Sequence, residues 1–535
     1  MHNMNPTIEK LLATIEEYRL PSYLRAEEHE PKLEADELVA NVAKYYEKAR
    51  YAVDFKEEHM LRHTAIGRIL KRRLVYNFTV ETNARSLLLE LIQAGYLPNN
   101  KLPERVVEYV QQILDKTIFL LSLIRRAHPD ERSTSYEGRL ISLATSEIEE
   151  LLFPSPIEEA TVEAFHQSIK PYIAIKNSNL SFRDQEIQIF LGCRRALLKS
   201  DESHLFYQMW RTQYPDWFEI NTDVAGHRAR LEEVAEEFLR VSALIDEQVE
   251  NPLHPRIAAR LKNDSIYFSI LMELLRRNSE TPRVVFTDPS ILMREARSII
   301  DEIYSQEGAR ISKSAIRAII YILITKIVLA FVLELPIEAL IDKSVNYMAL
   351  GINVIFHPLL LLVMTRSIKA PADDNTERII SGIHSSVFGE GHDVITIRAS
   401  RSKNVLFYIG LIVYMALFIL SFGFIIWTLN QLHFSLIAQV LFIMFLTLVS
   451  YFGLRIRFTA KRWLVETRDK GFMAFLWDLV TLPIVTIGRW LTTKFQTINI
   501  FVFLLDFILE TPFKMILRFL DSFSSFVKEK KEEIY

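Results

Sequence analysis

The stretch "YILITKIVLAF" (residues 321–331) sets a single ammonium group, Lys326, inside a run of aliphatic side chains. It is either a soluble helix with one polar position or a membrane helix carrying a charge that must be satisfied. A lysine at mid-depth costs about 2.5–3.5 kcal/mol to insert, whereas each Ile, Leu, Val or Phe returns about 0.3–0.6 kcal/mol. Eleven such residues lie between Ile319 and Leu333, so insertion wins. Lys326 sits roughly ten positions, about 15 Å of helix rise, from either end of the span. A lysine stem does not snorkel that far, so the side chain is expected to face protein or a water-filled gap.

Working outward, three more apolar runs are long enough to cross about 30 Å of hydrocarbon, which takes roughly 20 helical residues. The spans are expected at about 315–334, 346–365, 405–428 and 434–454. The third, "VLFYIGLIVYMALFILSFGFIIWTL", has no charge, and the fourth, "LIAQVLFIMFLTLVSYFGL", holds one Gln.

The rest of the chain divides by charge. Residues 1–310 carry 40 Lys+Arg against 49 Asp+Glu, and residues 311–535 carry 23 against 17. An acidic, charge-rich first part therefore precedes an apolar, mildly basic second part, as suits a chain that meets anionic headgroups. The single cysteine, Cys193, excludes an internal disulfide. The N-terminus "MHNMNPTIEKLLATIEEY" has no basic segment followed by an apolar core, so no signal peptide is expected.

Loop charges set the orientation. Arg310, Lys313 and Arg317 precede the first span, and the 366–404 loop holds six basic residues. Six more lie in "RIRFTAKRWLVETRDK", including Arg455, Arg457, Lys461 and Arg462, which are expected at the membrane surface. The segment 334–345 has one Lys against three acids, and "NQLH" has no Lys or Arg. Basic and non-basic segments alternate, which places both termini in the cytoplasm of a plasma-membrane protein.

The tail from 456 is read as basic, aromatic and amphipathic. The run 471–491 is interrupted by Asp478 and Pro483, and 499–520 carries Lys514 and Arg518 among many Phe residues. Interfacial or re-entrant helices are expected there, with two further crossings as the alternative.

Residues 1–310 show 3.6-residue periodicity in segments such as "VVEYVQQILDKTIFLLSLI" (106–124), with Pro, Asn and Asp punctuation. The fold class is therefore all-α. A cytoplasmic helical bundle or array (1–310) is followed by a four-helix transmembrane region (311–455), with a cytoplasmic loop at 366–404 and amphipathic helices at the end.

No motif names a reaction. His59 and His63 stand one turn apart beside Glu57 and Glu58, a weak metal pattern without a third ligand. Glu163 with His166 gives half of a diiron-type pair, and the nearest second pair, Asp201 with His204, has the wrong acid. His384 and His392 fall in "GIHSSVFGEGHDVITI", where a solvated turn is the simpler reading. GxxxxGK[ST], GxGxxG and GxSxG are absent. No cofactor is expected. The basic run "RHTAIGRILKRRL" (62–74) suggests a lipid- or partner-facing helix rather than a nucleic-acid surface, because the region is acidic overall.

Phrases such as "EEHMLRHTAIGRILKRRL" and "RALLKSDESHLFYQMW" resemble uncharacterised bacterial polytopic membrane proteins, which implies a bacterial plasma membrane and carries over no site residue. The expected role is a membrane-anchored interaction or scaffold protein, with the bilayer and a protein partner or a second copy as partners and no small-molecule substrate. The alternative is an oligomeric transporter or channel with Lys326 lining the path. Within the membrane, Lys326 needs a partner. The candidates are His357 and Asn353 on the second span and Asp478 in the tail, with a neutral His357 accepting from Lys326 preferred.

Overall fold

The computed structural model describes residues 4–25, 30–35, 58–76, 83–127, 133–337, 346–366, 373–389, 394–398, 405–465 and 472–497. The second tail segment, 499–520, lies outside them. The described chain is all-α, apart from one two-stranded sheet formed by Ile173–Lys176 and Ile395–Arg398. It separates into two compact units, one built mainly from 9–173 and 179–260 and one mainly from 261–502. The boundary expected at 310 falls inside a continuous helix, Pro289–Leu329.

The unit built from 9–260 is organised around the helices Val106–Ala127 and Ser133–Leu152. Their near ends bury Val110, Leu114 and Ile148 with Ile66, Leu70, Leu87 and Leu91. Their far ends bury Leu120, Ile124 and Leu140 with an aromatic set that includes Phe206, Trp210, Trp217 and Phe238. Between the two cores an ion pair is fully enclosed. Lys116 Nζ donates to Glu147 Oε1 (2.5 Å) and to the Trp217 carbonyl (2.8 Å), and Trp217 Nε1 donates to Glu147 Oε2 (2.9 Å). Every charge-bearing atom has a partner, which is the condition for burying such a pair at all.

The basic run at 62–74 does not form a free cationic face. Arg72 and Arg73 both bind Glu90, at 2.6 Å and 3.1 Å, and the Arg62 guanidinium lies over the Phe153 ring. Burial works against the Glu90 charge, yet the two guanidinium groups hold its carboxyl below the ordinary carboxylate range.

The second unit contains four helices long and apolar enough to cross a membrane. Asp288 caps the first by accepting from the Ser290 N–H, with Pro289 in the first turn. This 41-residue helix, about 60 Å long, carries the last soluble helix without a break into the first span. The other three are Tyr347–Arg366, Val405–Gln431 and Leu436–Ala460. Inside the 366–404 loop, Asp373–Phe388 is a helix, and its Gly382 accepts the Tyr267 ring against the backbone. Asn375 donates to the Trp463 carbonyl (2.9 Å) and accepts from the Val465 N–H (2.9 Å), tying this helix to the end of the fourth span.

The helix Phe472–Thr497 packs along the fourth span. A Cβ added to Gly488 would lie 2.0 Å from the carbonyl oxygen of Thr447, near the middle of Leu436–Ala460. A helix confined to the headgroup layer does not reach that depth. This contact disagrees with an interfacial placement of 471–491 and agrees with either a re-entrant helix or a further crossing. Gly488→Leu should therefore force the helices apart and cost about 1–3 kcal/mol, read as a lower thermal midpoint in detergent. A midpoint equal to wild type would mean that this packing is not formed.

Candidate functional site

Lys326 lies on the first span, and three polar residues meet it or its partner in the interior of the bundle. Lys326 and Glu334 are each 2 % exposed, and Asn353 and His357 are fully buried. Lys326 Nζ donates to Asn353 Oδ1 (2.7 Å), and Asn353 Nδ2 donates to both oxygens of Glu334 (3.0 and 2.8 Å). Lysine only donates and a carboxylate only accepts, so the orientation of the amide is fixed by its partners. One neutral side chain thus joins a cation to an anion. The ammonium also sits 4.2 Å from the centroid of the Phe445 ring on the fourth span.

Glu334 reaches this site because the helix changes pitch. Eight residues of regular α-helix would leave it roughly 80° away from the Lys326 face. The five residues Ala330–Glu334 instead form a π turn, which takes up one extra residue per turn. Eight positions then behave as about seven, and Glu334 falls within roughly 20° of Lys326.

His357 is not the lysine's partner. Its Nδ1 lies 3.1 Å from the Asn353 carbonyl and its Nε2 lies 3.0 Å from the Phe442 carbonyl. Both neighbours only accept, so the ring acts as a donor. Its faces and edges are occupied by Phe442 and Phe445. The expectation that a neutral His357 accepts from Lys326 is therefore corrected. Asn353, the other candidate on the second span, holds the ammonium. The ring has one N–H to give to one of these two backbone carbonyls, and it stands between the second span and the fourth. Asp478 lies within the helix Phe472–Thr497, but its side chain is outside the described residues, so that placement is not addressed.

The other candidates separate clearly. Arg455, Arg457 and Lys461 are exposed at the end of the fourth span, and Arg462 lies over the Trp463 ring. Lys514 and Arg518 lie outside the described residues, as do His392 and the His59 side chain. His384 belongs to the helix Asp373–Phe388 and packs on Phe388, so it is not in a solvated turn. His166 is buried edge-on to Phe190, and burial lowers its pKa. Its neighbour Glu163 binds Gln167, so the pair behaves as core and surface rather than as two ligands. Cys193 is buried.

His63 has a different outcome. It meets Glu149 and His204. Burial disfavours a charge on His204, yet hydrogen bonds to Asp201 and Glu149 outweigh this and push its pKa up to about 9. The spacing His59–His63 pointed to the right residue for the wrong reason. The signal for the actual grouping was the unused pair Asp201/His204, whose proximity to His63 only the fold creates.

Compared with protein-family models, curated proteins and solved structures, the chain has no match. Its function therefore has to be argued from the site itself.

Removing one member of the bridge should separate its roles. Asn353→Leu leaves a buried ammonium and a buried carboxylate unjoined, a loss of about 3–5 kcal/mol. Lys326→Met leaves Glu334 bonded to Asn353 and able to neutralise itself by taking up a proton, so its loss should be smaller. Thermal melts of both variants in detergent test this order. A larger loss for Lys326→Met would mean that the amide is not the joint.

Proposed function

We propose that this chain is a membrane-anchored interaction protein of a bacterial plasma membrane, its charge-rich helical part in the cytoplasm and its apolar spans holding it in place. The observation that carries this reading is the closed bridge Lys326–Asn353–Glu334. An intramembrane cation defaults to a functional assignment. Here the cation is compensated by an anion through a fully buried amide, and the result is a joint between the first two spans. Ion paths need groups that stay open to a passing charge.

The third span supports the same reading. No residue in its apolar window is buried, and Ile412, Ile419, Leu420 and Phe424 are all exposed. A face of this kind meets lipid or a second copy. The exposed Arg455, Arg457 and Lys461 suit anionic headgroups on the same side as the charge-rich part.

A transporter or channel reading rests on one specific observation. Glu334, Asn353 and Lys326 form a connected hydrogen-bonded row along the helix axis, and such rows relay protons in pumps. Size measurement in detergent followed by ion and proton flux in proteoliposomes separates the two. The interaction reading expects a defined assembly with flux no greater than empty liposomes. Flux that disappears in Lys326→Met would replace it with the transporter.

The orientation is tested independently. Reporters placed after Tyr535 and near Ala372 should read cytoplasmic, and one near Gln431 external. An external reading at Tyr535 would mean that the helix Phe472–Thr497 crosses completely and nothing returns after it.

A further inference from the structure

In the unit built from 9–260, two imidazole rings approach a single carboxylate oxygen. Glu149 Oε2 lies 2.9 Å from His63 Nδ1 and 3.3 Å from His204 Nε2. The three side chains come from Glu58–Lys71, Ser133–Leu152 and Glu202–Gln213, helices far apart in sequence. His63 and Glu149 are buried and His204 is half-buried. The three donor atoms all fall within 4.8 Å of one another.

Asp201 decides what His204 presents to the others. One of its oxygens caps the helix by accepting from the His204 N–H (3.0 Å), and the same oxygen lies 2.8 Å from Nδ1. A carboxylate only accepts, so Nδ1 carries the hydrogen. In the neutral ring, Nε2 then turns its lone pair towards Glu149 Oε2. The place between Nε2 and Glu149 Oε2, 3.3 Å apart, therefore calls for a positive charge, which either a proton on the ring or a bound metal ion supplies. A carboxylate behind one ring nitrogen of a histidine is also the arrangement that orients metal-binding imidazoles.

We propose that His63, Glu149 and His204 bind one divalent transition-metal ion, with Asp201 as the positioning residue for His204. Two imidazole nitrogens and one carboxylate oxygen form a donor set that zinc accepts when one coordination position is left to water. Bonds of about 2.0–2.1 Å at angles near 90–110° place neighbouring donors about 2.9–3.4 Å apart. The observed 2.9 and 3.3 Å fall in that range. Magnesium and calcium prefer oxygen donors and do not suit this set. The His204 side chain is 20 % exposed, which leaves a route for water or a ligand to the open position. The bound ion pins three helices together.

The test uses the full chain in detergent, with any histidine tag removed, stripped by chelator and dialysed against Zn²⁺ at neutral pH. One ion per chain is expected, bound at micromolar affinity or tighter, together with a higher thermal midpoint. His204→Ala should abolish both effects. Asp201→Asn keeps a side chain able to cap the helix and should weaken binding about tenfold to a hundredfold with unchanged circular dichroism. If His204→Ala does not fold, the wild-type stoichiometry and Asp201→Asn still decide. Folded wild-type protein that binds no Zn²⁺ would show that the cluster is an imidazolium–carboxylate clamp only, and binding unaltered in Asp201→Asn would overturn the positioning role of Asp201.

Discussion

An ammonium group in hydrocarbon must be answered by protein, and the membrane unit depends on how Lys326 is answered. Its partner is an uncharged amide that passes the interaction on to Glu334. A direct ion pair would demand that two charged groups find close geometry with all remaining donors and acceptors satisfied. The amide relaxes that demand, because it donates on one side and accepts on the other. It also explains the π turn at Ala330–Glu334, without which the carboxylate would face elsewhere. With Lys326 held from the first span and Asn353 on the second, His357 and Phe445 extend the contact to the fourth.

The unit built from 9–260 solves the same problem differently. Lys116 and Glu147 pair directly, and Trp217 completes the set with its carbonyl and its indole N–H. The stretch "SEIEELL" places Glu147, Glu149 and Glu150 on one helix, yet each meets a different partner: Lys116, the two histidines and Arg211. The chain thus uses acids on one helix to fasten several others. In the membrane unit such fastening is done by close backbone approach as well. Gly453 faces Met364, and Gly488 faces the Thr447 carbonyl, in line with the small residues that let membrane helices approach.

Most of the architecture was legible in the residues themselves. Uncharged runs of sufficient length can only be buried or in lipid, so the spans followed from hydropathy. Helical periodicity and caps such as Asp288–Pro289 placed the soluble helices. Nothing in "SQEGARISKS" (305–314) stops a helix, and the helix runs unbroken from Pro289 to Leu329. Two arginines of the basic run at 62–74 are held by Glu90 on another helix, a pairing no local pattern shows.

The sequence by itself therefore determined that Lys326 lies in a helix long and apolar enough to cross a membrane and needs a partner. It also determined an all-α chain with a charge-rich helical part before its spans. Hydrophobic length, periodicity and charge balance are local properties that no distant residue can overturn. Only the tertiary structure decided that Asn353 rather than His357 holds the ammonium, and that Glu334 closes the bridge. Only it brought His63 to Glu149 and His204. These pairings depend on helix phase, on a single extra residue in one turn and on contacts across tens of residues, and local pattern carries no record of them.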